Sequence, residues 1–309
     1  MAPMRFAKWQ ALGNDYLILE RDELPFELTP ARVRKLCAGH FGVFADGVLL
    51  LSSPADPAHV ADLRIFNPDG SEAELSGNGA REAILYLRRR GWTEQDVFAI
   101  NTAAGVIRPT ITGPDTCTVD MGRASLRSRD FPAGPEDGRG TVRVDSHIWS
   151  FRHVSIGNPQ CAIHVASEDE LAGLHLPALG PSIEHDLRFP NRTNVSWYTE
   201  LGGPAEQSAR APHTHIRARI FERGVGETLS SGTGATGAAV AHVLARREAD
   251  AEVSTALAAD GARVTVLLDG GELEVEVGED LRIKLTGWAR PVFEGRISED
   301  FEKELHETE

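Results

Sequence analysis

Cysteine is scarce in this chain. The three among 309 residues, Cys37, Cys117 and Cys161, lie far apart and form no CxxC pair. That count argues against a disulfide framework and against a zinc site; the three read as small core or loop residues. Long apolar runs are missing too. No stretch approaches the roughly 18 apolar residues of a membrane span, and the opening MAPMRFAKWQAL carries no apolar export core. A cytoplasmic protein without membrane contact is therefore expected. Positive charge is in deficit: 32 Lys and Arg against 46 Asp and Glu leave a net charge of −14. Phosphate backbones select a basic face, so no nucleic-acid partner is expected. No metal-ligand cluster or nucleotide motif is present, so neither a metal nor a cofactor is expected.

What is present is an ordinary globular composition, 41% hydrophobic and 25% charged, on a chain long enough for two domains. Short apolar or alternating runs recur, each bounded by Gly, Pro, Asn or Asp: YLILE, GVLLL, LRIFN, FAINT, CTVDMG, HVSIGN, CAIHVA, HIRARIFE, RVTVLL, ELEVEVG and LRIKLTG. They read as strands. Helical patterns are fewer, near 30–41, 80–91 and 234–249, and the last two end in arginines that suit a helix C-terminus. Strands outnumber helices without strict βα alternation, which favours an α+β fold over a doubly wound one. RSRDFPAGPEDGRG (127–140) reads as a linker or surface loop, 201–215 as a long hairpin insertion, and SEDFEKELHETE as a solvated tail or short helix.

Two segments share one plan. ELSGNGAR (74–81) and LSSGTGAT (229–236) each place a serine, Ser76 or Ser231, before a glycine loop that opens a helix. The serines are 155 residues apart, as are Glu72 and Glu227 upstream of them. A looser pair, Gly13-Asn14-Asp15 and Gly157-Asn158-Pro159, is spaced by 144. The repeat points to two similar domains. The expected division is 1–125, with 289–309 returning to it, and 126–288. A glycine loop opening a helix exposes N–H groups and the positive end of the helix dipole, so it binds anions. Neither loop has the lysine of a phosphate loop or the third glycine of a dinucleotide fingerprint, and a carboxylate is the better-suited anion. Ser76 and Ser231 also suit plain N-capping, and both readings stand at this point.

Longer runs narrow the choice. FAKWQALGNDY (6–16), HFGVFADGVLL (40–50), FNPDGSEAELSGNGAR (66–81), NTAAG (101–105), GNPQC (157–161), RTNVSW (192–197), ERGVGETLSSGTGA (222–235) and GWARPVFEG (287–295) resemble the diaminopimelate epimerases over most of the chain. These cofactor-independent isomerases invert one α-carbon of LL-diaminopimelate to give the meso form, a precursor of lysine and peptidoglycan. The resemblance implies two pseudo-symmetric mixed α/β domains, each a sheet or barrel around a central helix, with the active site in the interdomain cleft. It implies a small amino-acid substrate and a homodimer. It implies that Asn14, Asn67, Asn194, Glu222 and Arg223 hold the substrate, that Gly77, Asn78, Gly232 and Thr233 cradle its α-carboxylate, and that Asn158 and Gln160 flank it.

The departures from the family pattern cluster at the reacting carbon. The family uses two cysteines, one thiolate removing the α-proton and the opposite thiol delivering one; this chain has Ser76 and Ser231 there. A thiol starts near pKa ~8.5, whereas a serine hydroxyl starts far higher and needs an adjacent base. Of the family's two helpers, the His after Gly-Asn-Pro is replaced by Gln160 and the Glu of ERG is retained as Glu222. A family Gln is replaced by Gly47. The expected activity is a slow two-base epimerase with Ser76, Ser231 and Glu222 as its catalytic residues. A one-base isomerase or lyase, or a silent diaminopimelate-binding relative, are the alternatives.

Overall fold

The computed structural model describes residues 4–74, 76–202, 206–207, 212–249 and 261–308. The chain divides into two compact units, Met1–Val119 with Gly287–Glu309, and Asp120–Thr286.

The sheet of the first unit runs in the order Arg290–Arg296, Arg5–Ala11, Asn14–Glu20, Val48–Ser52, Ala61–Phe66, Ile100–Thr102, Gly105–Ile107. It is mixed: Asn14–Glu20 pairs parallel with Val48–Ser52, and Ala61–Phe66 parallel with Ile100–Thr102, while the other neighbours are antiparallel. The helix Gly77–Arg89 packs on this sheet, and every residue from Asn78 to Leu87 is buried. Ten consecutive buried residues cover all faces of a helix, so it is a central element rather than an amphipathic surface one.

The second unit repeats the arrangement. Its sheet passes through Arg139–Val144, His147–Ser155, Pro159–His164, Asn194–Glu200, Pro212–Glu222, Ala262–Leu268, Gly271–Val277 and Arg282–Trp288. Strand burial follows the pleat: in Gly271–Val277, Leu273, Val275 and Val277 point to the core and Glu272, Glu274 and Glu276 do not. The helix Gly232–Ala249 lies against several of these strands. Its first turns are built from small residues because the sheet approaches closely: a Cβ on Gly237 would meet Gln160 Cβ at 2.7 Å. An aromatic cluster of Phe131, Phe151 and Phe189 with Trp149 and Trp197 fills the rest of the core.

The repeat extends to a bracing ion pair in each unit. Arg64 grips Glu72 through two hydrogen bonds of 2.9 and 2.8 Å, across the turn that leads to Ser76. Arg219 grips Glu227 at 2.6 Å across the turn that leads to Ser231. These arginines are themselves 155 residues apart. Each pair ties the outgoing strand to the returning one, and so fixes where the glycine loop begins.

Other segments differ from the sequence reading. Glu168–Gly173 and Leu176–Glu184 are helices that apolar periodicity does not reveal. The first is only six residues long and is marked by its Ser167 cap and acidic first turn; the second contains Pro181. The 127–140 segment is irregular up to Arg139, yet Asp130 and Phe131 are buried, so it packs rather than merely links. The C-terminal segment forms the helix Glu299–Glu307, capped by Ser298. Of the expected hairpin at 201–215, residues 203–205 and 208–211 lie outside the described residues; Glu206–Gln207 pairs antiparallel with Pro212–His213. Among the described residues no helix is long and apolar enough to cross a membrane.

Candidate active site

Ser76 is the N-cap of the central helix of the first unit. Its backbone is extended, and its Oγ accepts a hydrogen bond from the Gly79 N–H at 3.1 Å. The capping role read from the sequence is therefore real. It does not exhaust the side chain, because the same oxygen also accepts from the Tyr16 hydroxyl at 3.1 Å. The first N–H groups of the helix, those of Gly77 and Asn78, point out of its N-terminal end. Asn78 Nδ2 reaches Asn14 Oδ1 at 3.4 Å, and Asn14 Nδ2 donates to Asp46 at 2.9 Å. Asn67 is held in its own turn, its Nδ2 donating to Ser71 Oγ at 3.0 Å.

Beneath this loop two charged residues are buried. Arg81 and Glu82 are fully excluded from solvent. Burial pushes the Glu82 carboxyl well above the usual carboxylate range; Asp15 and Asp46 add to the rise and Arg81 opposes it. Burial lowers the Arg81 guanidinium.

In the second unit Ser231 is 5% exposed, and its Oγ accepts from the Gly234 N–H at 3.2 Å. The partner that sets it apart is Glu222. This carboxyl accepts from Thr228 Oγ1 at 2.9 Å, and the Ser231 hydroxyl lies near enough to moderate its pKa. Burial raises its pKa, and the two hydroxyl donors moderate the rise. A carboxylate so placed is a stronger base than an exposed one. Asn158 Nδ2 donates to Thr233 Oγ1 at 3.2 Å, and Gln160 Nε2 donates to Asn158 Oδ1 at 2.8 Å. Gln160 is fully buried, and its Oε1 has no hydrogen-bond partner.

Asn194 is occupied as a brace. Its Nδ2 donates to the Pro159 carbonyl and its Oδ1 accepts from the Arg223 N–H, at 3.0 and 2.9 Å. The Arg223 side chain is exposed, with Nη1 on the Asn191 carbonyl at 2.8 Å. Glu184 supports the same turn by accepting from the Gly224 N–H at 3.0 Å.

The structure thus gathers Asn14, Gly77 and Asn78 around Ser76, and Glu222 beside Ser231, with Asn158 and Gln160 at Thr233. Asn67 serves its own turn, and Asn194 braces Pro159 against Arg223. Sequence reasoning missed Tyr16, Asp46 and Thr228. Tyr16 has a signal in hindsight: it follows Gly-Asn-Asp as Gln160 follows Gly-Asn-Pro. The cysteines stay out of the chemistry. All three are buried, and burial pushes the Cys37 and Cys117 thiols up to about 12 and Cys161 well above its ordinary value.

Comparison with known proteins now bears on this geometry. The family model for diaminopimelate epimerase matches residues 6–127 and 152–290. The chain is 35% identical over 300 residues to diaminopimelate epimerase 2 of Nostoc sp., covering 96% of both chains. It is 37% identical over 304 residues to the diaminopimelate epimerase of Synechococcus sp., covering 96% of this chain and 99% of that one. The chain belongs to the diaminopimelate epimerase family. It is an isomerase by descent, with serine at positions 76 and 231. Solved structures share the diaminopimelate epimerase-like fold at low identity. A phenazine biosynthesis protein of the PhzF family from Bacillus anthracis superposes with a TM-score of 0.64 at 18% identity, over 96% of this chain and 100% of that one. A probable proline racemase from Agrobacterium radiobacter gives 0.65 at 14%, over 96% and 93%. These likenesses bear on the fold alone.

Proposed function

We propose that this protein interconverts LL- and meso-diaminopimelate by two-base proton transfer at the α-carbon, with Ser76 and Ser231 as the acid–base pair. The observation that carries the reading is that Ser76 and Ser231 stand at equivalent helix N-termini, each Oγ accepting from the N–H three residues on, with the half-buried Glu222 carboxyl next to Ser231. A lone serine has no useful basicity near neutral pH; one that hands its proton to a carboxylate can take a proton from carbon. The glycine loops bind the α-carboxylate through the N–H groups of Gly77, Asn78, Gly232 and Thr233. Asn14, Asn67, Asn158, Gln160, Asn194, Glu222 and Arg223 provide the remaining substrate contacts. Turnover is slower than with a cysteine pair, because hydroxyl oxygens start much further from neutrality than thiols.

The same observation favours one alternative. Glu222 is a carboxyl next to one serine and not the other, so a one-base isomerase that shifts a proton or double bond on a related amino acid fits the second unit equally well. Purified protein incubated with LL-diaminopimelate, with products separated on a chiral column, decides between them. Meso product in the parent, rising at least tenfold in Ser76→Cys with Ser231→Cys, supports the two-base reading. A double variant that binds substrate but forms no meso isomer contradicts it.

A further inference from the structure

Each glycine loop is flanked by two equivalent positions, and the two units fill them differently. The 155-residue spacing that relates Ser76 to Ser231 also relates Asn67 to Glu222, and the 144-residue spacing of the asparagine turns relates Tyr16 to Gln160. The second unit therefore has an ionisable carboxyl at one position and an amide at the other. The first unit has an amide, Asn67, where the carboxyl would be, and a phenol, Tyr16, where the second unit has Gln160. Asn67 is turned to Ser71, while Tyr16 reaches Ser76 Oγ at 3.1 Å.

Tyr16 is held in that pose. Its ring is buried, and a Cβ at residue 47 would come within 2.6 Å of it and 2.4 Å of the Phe66 carbonyl. Gly47 is thus the residue that leaves room for the ring.

Resting on the epimerase reading above, we infer that Tyr16 is a positioning residue for Ser76 and that the two serines have different duties. Ser76 Oγ accepts two hydrogen bonds, from Tyr16 and from the Gly79 N–H, which leaves its own proton free to be given away. Ser231 Oγ accepts from the Gly234 N–H and has the Glu222 carboxyl, already held by Thr228, as its ionisable neighbour. Ser76 is the acid side and Ser231 with Glu222 is the base side. When Ser76 delivers its proton to the α-carbon, the O–H bond breaks, a C–H bond forms, and the electron pair stays on oxygen, where the two donors stabilise it. The proton lost by the substrate rests on Glu222. After release, water returns a proton to Ser76 and removes the one on Glu222.

The test uses Tyr16→Phe, which removes one oxygen and no carbon, in two backgrounds. In the parent, kcat for LL-diaminopimelate should fall by about 10²-fold, the scale of losing one donor to a developing oxyanion. In Ser76→Cys, the probe is iodoacetamide at pH 7. The introduced thiol is the reactive one, since Cys37, Cys117 and Cys161 are buried. The ionisable groups of this corner, Lys8, Asp15, Asp46, Arg81 and Glu82, are the same with and without the phenol. Losing the phenol donor should slow alkylation several-fold, because less of the thiol is ionised. Gly47→Ala, which displaces the ring but keeps the hydroxyl, should act in the same direction. An unchanged alkylation rate overturns the inference whatever the turnover data show. An active parent whose kcat is untouched by Tyr16→Phe overturns it as well. A parent without turnover, whose Ser76→Cys thiol still responds to Tyr16→Phe, upholds the coupling and overturns the epimerase reading instead.

Discussion

In the proposed reaction Glu222 is the base, and its desolvation sets its pH behaviour. Its carboxyl is raised above the ordinary value, so it becomes a competent base at a higher pH than an exposed glutamate. Activity should rise with pH through that raised value. Glu222→Gln should cost about 10²–10⁴-fold in turnover and remove the acid limb of the rate profile; a limb that persists in the variant would place the base elsewhere. Glu82 makes the opposite kind of prediction. Its folded pKa lies well above the unfolded one, so the stability of the neutral form is complete at low pH and is lost as pH rises through the folded value. Glu82→Gln, which cannot ionise, should therefore gain stability over the parent as pH increases. Urea unfolding at pH 5 and pH 8.5 should show a larger gain at the higher pH. Much at this scale was legible in the motifs: Ser76, Ser231 and Glu222 stand in runs long enough to read. Tyr16 was not, because an aromatic after a turn reads as core until its hydroxyl is seen to meet Ser76.

At the scale of elements, the central helix of the second unit is positioned by what it lacks. Its early turns are small because strands lie directly against them. A Cβ on Gly237 would sit 2.7 Å from Gln160 Cβ, closer than packing allows. Gly237→Ala should cost about 1–3 kcal/mol through that overlap, outweighing the gain of roughly 1 kcal/mol in helix propensity. It should also weaken substrate binding by moving Gln160. A stabilised variant in a urea melt would show that the helix yields instead. The strands were read from alternation because one face of each meets a core, as in Gly271–Val277. The helices Glu168–Gly173 and Leu176–Glu184 were not, since one is too short to show periodicity and the other carries Pro181. The first strand, Arg5–Ala11, was also missed; its Lys8 is buried against the sheet by an ion pair with Asp15, so its charge hides it as core.

At the scale of the whole chain, the half-length repeat is the strongest feature, and it is carried by paired devices: a bracing Arg–Glu pair, a capping serine and a buried helix in each unit. The units also differ in ways that affect stability. The second contains His153 and His242, both buried, with burial lowering each to about 4. Unfolded histidine titrates near 6.5. Between those values the unfolded chain binds more protons, so stability falls as pH drops from 6.5 towards 4. The two together should cost about 3–6 kcal/mol over that range. Denaturant melts at pH 7 and 4.5 should show the loss, and His242→Asn should reduce it; an unchanged difference would mean that carboxylates alone drive acid unfolding.

The central claim is that a serine pair, with Glu222 next to one of them, moves a proton on and off an α-carbon. Incubation with LL-diaminopimelate in deuterium oxide tests it most directly, with NMR reading α-deuteration and chiral separation reading stereochemistry. The account predicts deuterium at the α-carbon of a meso product. Deuterium retained in the LL isomer with no meso product would mean that a single base works, and no exchange by a protein that still binds the ligand would contradict the claim outright.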